Sequence, residues 1–523
     1  MTILDELLSA EEFRGLSPAE FFYRNREIAG FSNPVRALYQ TVRELVENSL
    51  DATELYRILP DIRVRISYVS REKNIVKVSV RDNGIGIPLK EVPNVFGKVF
   101  YGSKYKLRQS RGVFGLGIKM AVLYAQMTTG SPVLVRTASP KSKNVHEFQI
   151  LIDITRNEPI VVSYKTMNNT RGWHGTHVEL TLEGNWSSAR SRIVEYIKRT
   201  ALIAPYASIS FEGPGIELSF PRATKKIPVP PSVGKPHPRG VDIELLKQLI
   251  AYVNSSNQAV TLEDFLVKVF DGVGRKTARS FLKWAGYGSD LLIDELSIEQ
   301  LDDLARKMKG YGKWRRPRPL SLSPLGEELL VKGVRKILKP EFVTAITRKP
   351  SSYGGYPFVV EVAIAWGGDI PSVDRPLLLR FANKIPLLYD EGVDVSRKVI
   401  DGIDWSVYKI KFPAPLAIIT HLCSTKIPFK GVGKEAIADV PEVERELEIA
   451  LREAARRLKR HISRIERQYE VKLRYITINK YIGEIARALS VITGKESKVF
   501  EKKLSEIVEQ KVLKGGGRGN ESL

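Results

Sequence analysis

The run Glu44-Leu-Val-Glu-Asn48-Ser-Leu-Asp-Ala52 decides the fold of this chain, because it joins a helical pattern to polar side chains suited to phosphate chemistry. Apolar residues recur between residues 35 and 55 at close to a 3.6-residue period, which predicts an amphipathic helix. Asn33 followed by Pro34 predicts its start, with Asn33 as the N-cap and the proline at the first helical position.

Glu44 and Asn48 lie four residues apart and therefore share one face of this helix. A carboxylate in that position can hold and polarise an attacking water. An amide oxygen beside it can coordinate a Mg²⁺ ion that bridges phosphate oxygens. Taken alone, such a pair is more often an ordinary solvated helix face, so the interpretation depends on the motifs that follow.

A second motif, Asp82-Asn-Gly84-Ile-Gly86, closes a predicted strand in which valines alternate with polar residues between positions 76 and 80. Asp82 has the parity of the valines, so its carboxylate is expected to point into the packed side, where a buried charge needs a partner. The amino group of adenine would be such a partner, and the glycines would let a flat base approach the backbone. The alternative is a turn in which the carboxylate caps its own backbone.

Two further motifs follow. The loop Gly112–Lys119 precedes an apolar helical stretch, and its amides could bind phosphate oxygens. It lacks the Lys-Ser/Thr pair of a Walker A loop, and a close helix–helix approach explains it equally well. Gly175-Thr176 opens another alternating strand, where the hydroxyl could complete recognition of the base beside Asp82 or the threonine could simply pack by its methyl group.

In this order, the four motifs resemble those of the GHKL ATPases, a superfamily that includes gyrase B, MutL, the ninety-kilodalton heat-shock chaperone and histidine kinases. The resemblance implies an α/β (Bergerat) sandwich with a mobile lid at about residues 97–117 that closes over ATP and Mg²⁺. It also implies that Glu44 is the general base, Asn48 the magnesium ligand, and Asp82 and Thr176 the readers of adenine. The other residues implied to surround the nucleotide are Gly84, Gly86, Ser103, Lys104, Gly112, Val113, Phe114, Gly115, Leu116, Gly117, Ile118 and Lys119.

A histidine kinase is disfavoured, because such an enzyme needs a phosphoacceptor histidine upstream and all six histidines lie at His146 or later.

The formal charge of +23 favours a polyanionic partner, although the charged surface of a heat-tolerant protein is the alternative. A single cysteine, Cys423, excludes an internal disulfide and a zinc site built on cysteine pairs. Neither a membrane-spanning run nor a signal-peptide pattern is evident, so we expect no membrane association and a cytoplasmic location.

Beyond the nucleotide motifs the composition changes. Prolines cluster over residues 221–240, as expected at a domain boundary. Helical patterns follow over 241–253 and 262–270, and a glycine turn at 272–274 then leads into a basic helix. That turn could offer amides to a DNA phosphate or could be a short connection. From about residue 320 the pattern is mixed α/β, and residues 442–470 predict a long amphipathic helix.

Lys426 lies in the segment between these later strands and the long helix. A lysine that reaches the γ-phosphate from a second domain would let ATP, but not ADP, hold the two domains in one arrangement. Taken alone, one lysine among so many is usually an ordinary surface residue.

Four segments outside the ATP motifs carry a second resemblance, to the B subunits of archaeal type IIB DNA topoisomerases. They are Ser17–Phe22, Ala345–Pro350, Ala382–Pro386 and His421–Pro428. That family implies a helix–two-turns–helix insert, a transducer domain with Lys426 as the catalytic and nucleotide-contacting switch lysine, and a separate A subunit that cleaves DNA with a tyrosine.

We therefore predict an α+β chain with a GHKL ATPase domain and strap (1–228), a helix–two-turns–helix domain (229–312), a transducer domain ending in a long helix (313–470) and a helical tail (471–523). The predicted function is ATP-driven relaxation and decatenation of double-stranded DNA. ATP binding would dimerise two B subunits within an A2B2 heterotetramer. The alternatives are a MutL-like repair ATPase and a nucleotide-gated clamp that does not hydrolyse ATP.

Overall fold

The computed structural model describes residues 15–102, 107–112, 115–255, 259–431 and 434–510. The chain divides into two compact units. Residues 1–403 with 412–454 form the first unit, and residues 404–411 with 455–523 form the second.

The first part of the chain forms an eight-stranded sheet with the order β5-β4-β3-β6-β2-β1-β7-β8. Neighbouring strands are antiparallel except for β1 and β7, which run parallel. The strands are β1 Asp61–Ser70, β2 Ile75–Arg81, β3 Val133–Ala138, β4 Asn144–Asp153, β5 Glu158–Asn168, β6 Gly175–Glu183, β7 Ser208–Gly213 and β8 Ile216–Phe220.

Helices cover one face of this sheet, and the valines of β2 are buried beneath them, as the alternating pattern predicts. The helix at the first motif begins as expected, because the Asn33 side chain accepts a hydrogen bond from the Arg36 amide at 3.0 Å and Pro34 occupies the first turn. The helices of this part are α1 Pro18–Arg24, α2 Pro34–Glu54, α3 Val92–Gly97, α4 Gly117–Thr129 and α5 Trp186–Ile203. Helix α2 packs against both α4 and α5.

A small helical insert follows the proline-rich segment and has its own apolar core, which runs from Val241 to Trp314. The two helical patterns read from the sequence are confirmed as α6 and α7, and the basic helix after the glycine turn is α8. Side-chain caps begin most of these helices, including the reciprocal pair of Ser297 and Gln300. The helices are α6 Ile243–Asn254, α7 Leu262–Val269, α8 Arg275–Ala285 and α9 Ile298–Gly310.

A second, six-stranded sheet follows with the order β10-β11-β14-β12-β13, and β9 also pairs with β11. Strands β12 and β14 are parallel and the other pairs are antiparallel. The strands are β9 Phe342–Thr347, β10 Ser351–Tyr353, β11 Tyr356–Trp366, β12 Leu377–Ala382, β13 Ile385–Leu387 and β14 Leu416–Ser424, and the helices are α10 Glu327–Leu338 and α11 Val395–Asp401.

Helix α10 joins this sheet to the nucleotide-motif part of the chain. Leu329, Leu330 and Val334 share an apolar core with Leu202 at the end of α5. Gly333 allows the close approach, because a Cβ atom there would overlap the Leu202 carbonyl oxygen.

The long helix predicted over 442–470 extends further than expected, as α12 Pro441–Thr493. The predicted domain limit at residue 470 therefore falls inside a continuous helix, and the other predicted limits stay predictions. The second unit also contains α13 Ser497–Val508 and an ion pair between Lys409 and Glu466. Across the described ranges, no helix combines the length and the apolar character that crossing a bilayer requires.

Candidate nucleotide-binding site

A cavity of about 270 Å³ opens between α2, the adjoining ends of β2 and β6, and the start of α4. It brings together residues from all four motifs that the sequence singles out. The predicted residues that line it are Glu44, Asn48, Asp82, Gly86, Gly112, Gly115, Leu116, Gly117, Ile118, Lys119 and Thr176.

Helix α2 is buried on nearly every side. From Ala37 to Leu50, Glu44 and Asn48 are the residues that are not buried, and both line the cavity. A solvated helix face would instead expose residues on several turns facing water. The carboxylate and the amide are therefore directed into a cleft by a helix that is otherwise part of the core.

The Asp82 carboxylate is buried and held by three donors. Its Oδ1 accepts hydrogen bonds from the Gly84 amide at 2.8 Å and the Thr176 amide at 3.0 Å, and its Oδ2 accepts one from Ser49 Oγ at 3.0 Å. Burial raises the pKa of Asp82, although these hydrogen bonds act in the opposite direction. A carboxylate can accept about four hydrogen bonds, so the arrangement leaves capacity for an amino group in the cavity.

Ser49 was missed as a site residue, since the sequence pattern marks it only as a small residue on the apolar stripe of α2. Its partner Asp82 lies 33 positions away, and no local periodicity reports such a contact. Thr137 was missed in the same way. Its hydroxyl accepts a hydrogen bond from the Ile87 amide at 2.8 Å and donates one to the Gly175 carbonyl at 3.2 Å, so it fixes the backbone around the base-side motifs.

The two glycines of the second motif have different positions. Gly86 lines the cavity with a positive φ of 73°, and a Cβ atom there would lie 2.5 Å from the Ala138 carbonyl oxygen. That position therefore requires glycine. The Gly84 amide donates a hydrogen bond to the Asp82 carboxylate, and Gly84 shapes the turn beside the cavity.

The glycine-rich loop leads directly into α4, whose first residue is Gly117. A Cβ atom on Gly117 would overlap the Glu44 carboxylate, so this glycine makes room for the candidate base. The Lys119 ammonium group donates a hydrogen bond to the Tyr101 carbonyl oxygen, at 2.7 Å. The predicted residues Ser103, Lys104, Val113 and Phe114 lie outside the described residues.

The lysine that the sequence analysis selected does not lie at this cavity. Lys426 is exposed, and its Nζ is 4.8 Å from the centre of the Tyr356 ring and 3.4 Å from the Tyr356 hydroxyl. Lys434, from the same segment between β14 and α12, lines the cavity together with Glu44. Sequence reasoning missed Lys434 because the segment has no periodic pattern that would show which lysine points inward.

A buried charged group formed by Arg43, Glu47 and Glu435 adjoins the cavity, and Arg43 also lines it. Arg43 Nε lies 2.8 Å from Glu47 Oε1, and Arg43 Nη1 lies 3.5 Å from Glu435 Oε1. Burial raises the pKa of Glu47 to about 7, although the Arg43 guanidinium acts to lower it.

A hairpin tip from the second sheet contacts the start of the glycine-rich loop. Asn383 and Lys384 form the two-residue turn between β12 and β13, both with positive φ. Asn383 Nδ2 donates to the Ser110 carbonyl at 3.2 Å and to the Ser424 carbonyl at 2.9 Å. The tip thus connects the residues before Gly112 to the end of β14.

Lys384 completes a set of two cations and two carboxylates, buried except for the half-buried Asp51, which we call the Glu54 cluster: Asp51, Glu54, Arg111 and Lys384. Glu54 lies 3.2 Å from Lys384 Nζ and 2.6 Å from Arg111 Nη2, and Arg111 Nη1 lies 2.8 Å from Asp51. Burial opposes ionisation of Glu54, but the two cations outweigh it and its pKa is lowered.

Glu361, His421 and Cys423 form a buried group with metal-ligating atoms close together. Its atoms already have partners, however. The Lys384 amide donates to His421 Nε2 at 3.0 Å, so the ring proton is on Nδ1, which donates to Glu361 at 2.8 Å. Glu361 also accepts from two backbone amides. This group therefore supports the hairpin tip and is not a candidate metal site.

The layered fold and the cavity define an ATPase domain of the GHKL class. Residues 33–156 match the family described as histidine kinase-, DNA gyrase B- and HSP90-like ATPase, and residues 317–474 match the transducer of the topoisomerase VI B subunit.

Three curated relatives are named as the B subunit of type 2 DNA topoisomerase 6. The protein from Pyrobaculum aerophilum is 55% identical over 500 residues, covering 96% of this chain and 94% of the relative. That from Metallosphaera sedula is 48% identical over 505 residues, with 96% and 94% covered. That from Saccharolobus islandicus is 47% identical over 506 residues, with 96% and 95% covered. The chain belongs to the family of type 2 DNA topoisomerase 6 B subunits.

The predicted family and the predicted α+β fold class are thereby confirmed. Membership makes this chain the ATPase subunit of a type II DNA topoisomerase. The MutL-like alternative gains no support from these relatives.

Proposed function

We propose that two copies of this chain bind ATP and dimerise through their nucleotide-binding domains, and that they capture one DNA duplex while partner A subunits cut another. The complete enzyme would be an A2B2 heterotetramer that relaxes and decatenates double-stranded DNA. One observation carries the ATPase part of this proposal. Over Ala37–Leu50 a core helix leaves Glu44 and Asn48 partly exposed, and both line a cavity that also holds the buried carboxylate of Asp82.

In this proposal the adenine amino group donates to Asp82, and the triphosphate extends towards the amides at the start of α4. Glu44 then holds the attacking water and accepts its proton. A positioned general base of this kind contributes roughly 10²–10⁴-fold to the rate. The remaining catalysis is positioning and neutralisation of charge at the γ-phosphate.

Asn48 fits the role of a magnesium ligand, because its side-chain amide faces the cavity one helical turn from Glu44. Mg²⁺, when bound with ATP, would neutralise charge on the phosphate oxygens. We assign the contact with the γ-phosphate to Lys434 in place of Lys426, since Lys434 lines the cavity beside Glu44.

Glu44→Ala separates binding from chemistry. The variant is expected to retain ATP binding, measured by calorimetry, and to lose turnover by about 100-fold or more, because the water loses its base. Unchanged turnover would remove Glu44 from the mechanism. Absence of turnover in the wild-type chain, with ATP binding intact, would favour the non-hydrolysing clamp.

The topoisomerase part is tested by copurifying the chain with its A subunit and assaying ATP-dependent decatenation. The wild-type complex is expected to decatenate DNA when ATP is present. The complex carrying Glu44→Ala is expected not to carry out repeated cycles of ATP hydrolysis and decatenation. A complex that hydrolyses ATP but leaves DNA topology unchanged would contradict the proposal.

A further inference from the structure

The face of the eight-stranded sheet opposite the helices carries a line of basic side chains. Arg63 on β1 lies directly opposite Arg81 on β2, Arg81 opposite His177 on β6, and His177 opposite Arg136 on β3. We call these four residues the arginine row. The neighbouring residues in each strand point the other way, into the core, so the row faces outward.

The acidic residues near the row already have basic partners. Arg136 Nε lies 2.6 Å from Glu147, and Arg63 lies 4.0 Å from Asp61. Glu179 lies 3.4 Å from His177 and 3.6 Å from Lys77. Glu179 also lies 3.9 Å from Arg136, so these acids offset much of the charge at Arg63, His177 and Arg136.

Arg81 makes no ion pair with any residue in the described part of the chain. Its guanidinium instead lies over the Trp173 ring, 4.6 Å from the ring centre. Arg171, in the loop beside Trp173, adds another exposed cation. The centre of the row is therefore the least neutralised part of this face.

This arrangement costs stability in the isolated chain. Arg63 and Arg81 are like charges directly opposite each other on antiparallel strands, and such a pair destabilises a sheet. Burial lowers the pKa of Arg81, and the guanidinium groups of Arg63 and Arg171 lower it further, while Asp61 opposes them. An anion bound across the row would relieve the repulsion.

The geometry fits an extended polyanion better than a small one. The row crosses four adjacent strands at about 4.8 Å spacing, so its ends are about 14 Å apart. The row is not a closed pocket, and the Arg63 side chain is 70% exposed. Arginine binds phosphate through two parallel N–H donors, and a DNA duplex presents one phosphate charge about every 1.7 Å along its axis.

We propose that the arginine row binds the phosphate backbone of double-stranded DNA, as a contact surface on the ATPase domain distinct from the nucleotide cavity. The proposal rests on the proposed function, which makes DNA the substrate, and adds the surface that holds it. Because Trp173 lies on Arg81 and donates its indole N–H to the Asp82 carbonyl at 3.1 Å, this surface adjoins the base-reading side of the cavity.

The test compares two double variants of the full chain that remove the same charge from the same hairpin. Arg63→Gln with Arg81→Gln changes the row. Arg71→Gln with Lys73→Gln changes the exposed turn between β1 and β2. Binding to a fluorescent linear duplex is measured by anisotropy over a range of salt concentrations, with ATP binding and melting temperature as checks of integrity.

For the row variant, the slope of log K against log salt is expected to fall by about 2, because each lost phosphate contact removes about 0.9. At about 0.1 M salt its Kd for DNA should rise by about tenfold or more. Its melting temperature should stay equal to that of the wild type or rise, since repulsion is removed. If the two arginines had a purely structural role, replacing them would lower the melting temperature. Arg63→Lys with Arg81→Lys keeps both charges and should keep most of the slope.

Three results would overturn the proposal. The first is an unchanged salt slope in the row variant, and the second is an equal loss of DNA binding in the turn variant. The third is a row variant that still binds duplex DNA as the wild type does but no longer binds poly-glutamate, an acidic polypeptide. The last result would assign the surface to an acidic protein. Relaxation by the wild-type A2B2 complex tests the proposed function separately. If relaxation occurs and the salt slope of the row variant is unchanged, the proposed function stands and the proposed DNA-binding surface is wrong.

Discussion

At the scale of single residues, the buried charges beside the nucleotide cavity make the stability of the fold depend on pH. Glu47 is buried beside Arg43, yet its pKa is raised to about 7 because burial outweighs the cation. In the unfolded chain the same carboxyl titrates near its ordinary value of about 4.3. The folded protein therefore binds more protons than the unfolded chain between these two values.

This difference predicts a pH effect on stability. The contribution of Glu47 is fully present below about pH 4 and is lost as pH rises through 7, by about 3–4 kcal/mol. Glu47→Gln should flatten the fall in melting temperature over that range. Glu195→Gln, at a half-buried ion pair with Arg199, serves as the control and should leave the pH profile unchanged. Matching profiles for Glu47→Gln and the wild type would show that Glu47 does not titrate in this way.

At the scale of elements, periodic patterns made much of the site predictable. The sequence predicted α2, β2 and the opening of β6, because apolar periods of 3.6 and 2 report which side of an element is buried. It placed Glu44 and Asn48 on one face for the same reason. It could not find Ser49 as a partner of Asp82, or Thr137 as a support for Ile87, because contacts between elements leave no local pattern.

The segment between β14 and α12 shows the limit most clearly, because it contains several lysines and no repeating pattern. Lys434→Ala should reduce ATP-dependent dimer closure, measured by crosslinking with a non-hydrolysable analogue, by about tenfold, since a charge-assisted contact with the γ-phosphate contributes about 1.5–3 kcal/mol. Lys426→Ala is the matched control and should behave as the wild type. If Lys426→Ala alone loses closure, the original interpretation of the sequence is restored.

At the scale of the whole molecule, the Glu54 cluster connects elements that are far apart in sequence. Lys384 and Glu54 are separated by 330 positions, so no motif analysis could have joined them. The pair links the tip of the β12–β13 hairpin to the helix that carries Glu44 and Asn48. Arg111 links the same carboxylate to the residue before Gly112.

We expect Lys384→Met to raise the Kd for ATP by about tenfold, because breaking a buried ion pair leaves Glu54 with one cation fewer and shifts the start of the phosphate loop. Turnover at saturating ATP should change much less, as expected for a positioning residue. A double-mutant cycle with Glu54→Gln should show coupling of about 1–3 kcal/mol in ATP binding.

The exposed pair Lys226–Glu328 supplies the control cycle, with expected coupling below about 1 kcal/mol. Equal coupling in the two cycles would show that the buried pair does not position the loop.

The charge balance of the Glu54 cluster also limits the paths by which the loop can rearrange. Departure of Arg111 alone is costly, because it would leave the buried Glu54 with one cation fewer and would remove a cation from Asp51, and breaking a buried ion pair costs about 3–5 kcal/mol. Half-displaced arrangements are therefore sparsely populated. The entrance to the cavity should switch between two discrete states, and single-molecule distance records across it should show abrupt jumps with no gradual drift.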